Sequence, residues 1–135
     1  MVIVLSDHNC LGQARQLFLV VNQPEYAEIE VELKSFDDVG LPKEADDETV
    51  WKFCQDNGVL LLTGNRSGAD GEMSLEAVVR HHYTPEILPV LTISNLKRVI
   101  PDKDYCERCA LKLLEFVIDM VDEDKYLGVT RLYLP

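Results

Sequence analysis

Asp7 follows the apolar run VIVLS, Asp47 stands with Asp46 ahead of Val50 and Trp51, and Asn65 follows VLLLTG. These are the residues whose types and places could do chemistry. In α/β sheets, sites form at the carboxyl ends of strands, near the point where strand order reverses. If the first and third strands are neighbours, the segments Asp7-His8-Asn9, Asp46-Asp47-Glu48 and Thr63-Gly64-Asn65-Arg66 can converge. Converging carboxylate and amide oxygens suit a hard divalent cation such as Mg²⁺ or Mn²⁺. Such an ion can hold a phosphate, polarise it and lower the pKa of an attacking water, a physical basis for phosphodiester hydrolysis. Each residue also has a plainer reading. Asp7 could cap the helix that follows it, Asp47 could cap its own helix, and Asn65 could support a tight turn after Gly64.

The elements that must position these residues follow from hydrophobic periodicity. Residues 2–6 form a continuous apolar run, expected for a parallel strand covered on both faces. Residues 10–22 put Leu11, Ala14, Leu17, Phe18 and Val21 on one helical stripe, which Gln23-Pro24 ends. Residues 28–34 alternate, with Ile29, Val31 and Leu33 between Glu28, Glu30, Glu32 and Lys34, a pattern for a strand whose charges guard a sheet edge. Residues 37–46 read as a loop. A helix is expected from Asp47 to the Asn57-Gly58 cap, and a second apolar strand over 59–63. Gly64–Glu72 reads as a Gly-rich loop and 73–83 as a helix. Val90–Ile93 reads as a strand, Asn95–Ile100 as a short helix and 103–123 as a long one. The long helix carries Cys106, Cys109, Ala110, Leu113, Val117, Met120 and Val121 on one face, and Val129–Leu134 is a last strand. Alternating strands and helices predict a three-layer α/β/α fold, a mostly parallel sheet of about five strands in a single domain over 1–135. The charged second strand is then pushed outward.

The chain has 135 residues and a formal net charge of −11, which repels a polyanion at long range. Any nucleic-acid site must therefore be local, or assisted by bound cations or a partner. No apolar run spans a bilayer, and MVIVLSDHN reads as a buried strand rather than a signal peptide. The four cysteines, Cys10, Cys54, Cys106 and Cys109, lack the spacing of a disulfide scaffold, so reduced thiols in a cytoplasmic protein are expected.

The motifs in this order resemble the PIN-like domains, especially their short family. VIVLSDHN looks like the strand-ending Asp motif with its D-x-N start. ADDETVWKFCQDNG is similar to the second acidic motif, and VLLLTGNR to the third, a strand normally followed by Thr-x-Asp. The resemblance covers roughly residues 1–70. It implies a metal-dependent ribonuclease, a toxin or an RNA-processing enzyme, with Asp7 and Asp47 as Mg²⁺ or Mn²⁺ ligands. Asp46 replaces Asp47 if the register is off by one. Asn65 would take the third catalytic position, and Asn9 and Arg66 would stand at the rim with Thr63 on the substrate side. Asn65 departs from the family's Asp: an amide supplies an oxygen but no charge, so metal affinity and water activation should fall. Asp70, Glu72 or Glu76 could compensate. The implied partner is RNA. The competing expectation is a non-catalytic scaffold that meets a second copy or another protein.

Other motifs have plainer readings. GNRSGADG lacks the Lys-Ser/Thr ending of a P-loop and reads as a surface loop. Cys106-x-x-Cys109 reads as core, His81-His82 as helix-end residues and Trp51 as core or groove wall. Asn95-Leu96-Lys97-Arg98 is the best local basic cluster and is thin support for an RNA track. A phospho-acceptor receiver domain is rejected, because no acceptor Asp ends the third strand and no Lys follows Val90–Ile93 closely.

Overall fold

The computed structural model describes the backbone of residues 1–64 and 69–135, with side chains described outside 65–74. The elements are β1 (Val2–Ser6), α1 (Leu11–Val21), β2 (Val31–Lys34), α2 (Phe36–Val39), α3 (Asp47–Asn57), β3 (Leu60–Gly64), α4 (Ala69–His81), β4 (Val90–Ile93), α5 (Lys103–Glu123) and β5 (Arg131–Leu134). The five strands form one sheet in the order β2-β1-β3-β4-β5. Every pairing is parallel. The first and third strands are neighbours and the charged second strand lies at an edge. The order reverses between β1 and β3, which puts the topological switch point there.

Two apolar cores sandwich this sheet. On one face, Val4, Leu60, Leu62, Leu91 and Ile93 pack with α1 and α5. On the other, Leu5, Leu61 and Val90 pack with Phe36 of α2, Trp51 and Cys54 of α3 and Val79 of α4. Successive strand residues thus enter opposite cores, which is why these strands read as unbroken apolar runs. Tyr105 of α5 is buried, donates its hydroxyl proton to the Pro135 carbonyl at 2.7 Å and accepts from the Asn95 N–H at 2.8 Å. One aromatic side chain thus ties α5 to the end of β5 and to the turn after β4.

The structure departs from the periodicity in several places. β2 begins at Val31, with Glu28 in a turn and Ile29 at a bend, although the Val2 N–H still reaches the Glu30 carbonyl at 2.9 Å. The expected loop 37–46 opens with α2, because Ser35 and Asp38 make a reciprocal capping box and Gly40 closes the turn. α4 starts at Ala69, inside the segment read as loop. The Asn95–Ile100 helix shrinks to a 3₁₀ turn over Leu96–Arg98, and β5 starts at Arg131. Val121, placed on the buried stripe of α5 by periodicity, is 58% exposed. No helix among the described residues is long and apolar enough to cross a membrane.

Three helix starts are tied by carboxylates. Asp38 accepts from the Ser35 N–H, Asp46 from the Thr49 N–H and Asp102 from the Tyr105 N–H. Hydrogen bonds from Ser35, from Thr49, and from Arg98 with Tyr105 hold these three carboxyls below their ordinary 3.8. A carboxyl lowered by folding contributes stability that is complete above its unfolded-state value and lost as the pH falls through the folded one. The urea midpoint should therefore hold down to about pH 4 and drop below it. Asp46→Ala should lower the midpoint at neutral pH and shrink that acid drop. Equal acid drops in both proteins would remove the cap from the explanation.

Candidate functional site

The chain leaves β1 at Asp7, whose N–H donates to the Leu62 carbonyl of β3 at 2.8 Å. Its half-buried carboxylate accepts a hydrogen bond at Oδ2 from Thr63 Oγ1 at 3.2 Å. Thr63 is 4% exposed, so its hydroxyl is a fixed donor. The helix-cap reading of Asp7 fails. A 3₁₀ turn, His8–Cys10, intervenes before α1, and neither start is capped by a side chain. Asp7 is instead a strand-end carboxylate at the switch point, positioned by the neighbouring strand.

Below it lies a polar layer that the sequence reading missed. Ser6 and Thr92 are fully buried, and with Thr63 they put a hydroxyl near the carboxyl end of each of the three inner strands. Ser6 Oγ donates to the Asp7 carbonyl at 2.9 Å and lies 3.5 Å from Cys10 Sγ, which reaches the Leu62 carbonyl at 3.6 Å. A serine or threonine closing an otherwise apolar strand is the sequence signal for such a layer.

Asp46, not Asp47, is the N-cap of α3: its Oδ1 accepts from the Thr49 N–H at 2.8 Å. The cap reading thus moves one residue back, and Asp46 as the alternative ligand would share its carboxylate with the helix start through Oδ1. Asp47 is the first residue of α3 and half-buried. Gly58, at φ +64°, closes α3 and turns the chain straight into β3. α3 therefore runs against β3, and its amino end points toward the same sheet edge as Asp7 and Gly64. α3 also lies on the face that receives Leu5 and Leu61.

Asn65 and Arg66 lie outside the described residues, as do the side chains of Asp70 and Glu72. Asn9 is exposed on the 3₁₀ turn after Asp7. Gly64 belongs to β3, and a Cβ there would come within 2.6 Å of Leu96 Cδ2, so glycine lets Leu96 fold over the strand end. Among the described residues no three His, Cys, Asp or Glu side chains are grouped to hold a metal. Mg²⁺ does not need such a group: one or two protein carboxylates suffice, with waters and substrate phosphates completing its shell. The oxygens of Asp7 and Asp47 fit that donor chemistry.

The remaining motifs serve the fold. All four cysteines are buried thiols. Burial raises the thiols of Cys54 to about 12 and Cys109 to about 11, so neither supplies a thiolate near neutrality. A thiol reagent at about pH 8 should label these two only as fast as the protein unfolds; prompt labelling of the native chain would contradict their burial. Trp51 is core, stacked on His82 at 5.9 Å, and Trp51 Nε1 and His82 Nε2 are buried without a hydrogen-bond partner. Glu48 Oε2 stands 3.7 Å from His82 Nε2, within ion-pair range but too long for a hydrogen bond. Arg98 of the basic cluster is paired with Asp102 at 2.7 Å, which weakens the cluster further as an RNA track.

No family model matches the chain, and no curated protein or solved structure matches it either.

Proposed function

We propose that the chain is a Mg²⁺- or Mn²⁺-dependent ribonuclease of PIN-like type, working at the carboxyl edge of β1 and β3. The observation that carries this reading is the placement of Asp7: a strand-end carboxylate at the switch point, held by the buried hydroxyl of Thr63 and used by no helix cap. Asp7 and Asp47 would hold the cation, with Asn65 adding an uncharged oxygen donor. A divalent cation bound there supplies charge to the phosphate and lowers the pKa of water. The chain's own residues do the positioning. Thr63 fixes Oδ2 of Asp7 and with it the plane of the carboxylate. Asn9 is exposed beside Asp7, and Arg66 is adjacent in sequence to Asn65; both suit contacts to the phosphate backbone. The test is incubation of single-stranded RNA of mixed sequence with the chain, with and without Mn²⁺ or Mg²⁺. Cleavage that needs the metal and stops with a chelator is expected. No cleavage, together with no metal binding at millimolar concentration, sinks the proposal.

A second reading, a PIN-like scaffold that acts through protein contacts, is favoured by the net charge of −11 and by Asn65 at a position where a third carboxylate is expected. It predicts capture of a basic protein by a chain that binds no metal. A chain that cleaves RNA with Mn²⁺ excludes it.

A further inference from the structure

The two edges of the sheet differ. β2 carries Glu32 and Lys34, paired at 2.7 Å, and is preceded by Glu28 and Glu30, so charge guards it. β5, at the other edge, reads Arg-Leu-Tyr-Leu and has no acidic residue. The β4 N–H groups of Val90 and the adjoining Ser94 donate to the carbonyls of Thr130 and Leu134, each at 3.0 Å. Strand alternation therefore turns the N–H and C=O of Tyr133 away from β4, toward the open side. Leu132 and Leu134 enter the core on the α5 face. Arg131 and Tyr133 stand on the α4 face, lining a groove of about 400 Å³ with Val79, Arg80 and Tyr83. Around this edge, Tyr133 is 51% exposed, Tyr83 49%, Leu127 48% and Val129 36%. Tyr83 is held in place by its hydroxyl on the Gly128 carbonyl at 3.0 Å.

We propose that this edge binds a second copy of the chain, β5 antiparallel to β5 across a two-fold axis, joining the two sheets into one. The occupant follows from charge and from symmetry. Each copy carries −11, so most approaches of two copies are repulsive. Along β5 the acid is missing, and in the groove Arg80 is paired with Glu76 at 3.3 Å. With Leu132 on the axis, residues on the α4 face meet residues on the α4 face. Arg131, whose Nη1 donates to Thr92 Oγ1 of its own sheet at 3.1 Å, then stands across from the copy's Tyr133, twice, and Leu132 meets its own copy on the other face. Such a contact is self-complementary and closes at two copies. The antiparallel arrangement points the carboxyl edges of the two sheets in opposite directions, so neither candidate site is covered.

Sedimentation equilibrium of the whole chain, from low to high micromolar, tests this. The expected mass rises from the 15.3 kDa monomer toward twice that value. Tyr133→Pro removes an outward N–H and leaves the β4 ladder intact. Tyr133→Lys places a charge on an exposed position of the edge. Each should raise the dissociation constant at least about tenfold while the circular dichroism stays that of the wild type. Should the proline variant fail to fold, the lysine variant decides, because its side chain is half in solvent. Mild oxidation of Leu132→Cys should link two copies through that residue. A wild-type chain that stays monomeric overturns the proposal. A dimer that neither Tyr133 variant weakens, or one in which Leu132→Cys does not cross-link, overturns it too.

Discussion

Asp7→Asn should lower metal-dependent RNA cleavage by at least about 100-fold, mostly in kcat, while the protein stays folded. The substitution keeps the shape of the side chain and an oxygen able to accept from Thr63 Oγ1, now at 3.2 Å from Asp7 Oδ2. It removes the negative charge. With an amide already at Asn65, the candidate site would then be left with Asp47 as its carboxylate among Asp7, Asp47 and Asn65. Mn²⁺ affinity should fall with activity, measured by titration calorimetry alongside the cleavage assay. Thr63→Val tests the positioning role separately. Valine fills the buried space but cannot hold the carboxylate plane, so kcat should fall about tenfold with KM little changed, and Thr63→Ser should restore it. If Asp7→Asn cleaves RNA as fast as the wild type, the activity belongs to another site or another protein. If Thr63→Val has no effect, Asp7 is held by something other than Thr63.

Much of this architecture could be read from residue pattern because the inner strands are covered on both faces. Double coverage leaves apolar runs such as VIVL and VLLL, short and bounded by polar residues as buried parallel strands are. The edge position of β2 followed from its alternating charges. Its start did not, because the Glu-Ile-Glu alternation continues into a turn and hydrophobic period does not distinguish a paired strand from an extended lead-in. α2 was illegible for a different reason. It is a single turn made by the Ser35–Asp38 capping box, with Phe36 its one buried residue, too short for any period. At the candidate site, Asp7 and Thr63 could be found from their places after apolar strands, but their bond joins residues 56 apart in sequence and depends on β1 lying beside β3. The choice between Asp46 and Asp47 as cap turned on one residue of register, which two adjacent aspartates leave open. The buried hydroxyl of Ser6 went unnoticed because the serine closes an apolar strand and reads as its polar end.

Leu62→Ala is expected to cost about 2–5 kcal/mol of folding stability, a large share of the roughly 5–15 kcal/mol that holds a domain of this kind together. Leu62 is 0% exposed and sits on β3 between Ser6 of β1 and Leu91 of β4, its side chain in the core shared with α1 and α5. Removing its branched end opens a cavity bordered on one side by the sheet, which is hydrogen-bonded to both neighbours and cannot collapse into the gap. Leu62→Ile keeps the volume and should cost under about 1.5 kcal/mol. Leu19→Ala, at a position 67% exposed on α1, is the control and should change stability by about 0.5 kcal/mol or less. Urea unfolding followed by circular dichroism measures all three. The Leu62 substitution also separates structure from chemistry. The bonds from the Asp7 N–H and Cys10 Sγ go to the Leu62 backbone carbonyl, at 2.8 and 3.6 Å, so truncating the side chain leaves the partners of Asp7 in place. Leu62→Ala should therefore lose stability and, at temperatures where it remains folded, keep its metal response; Asp7→Asn should do the reverse. A Leu62→Ala protein as stable as the wild type would mean that β3 is not the buried centre of the sheet, and the switch point on which Asp7 depends would go with it.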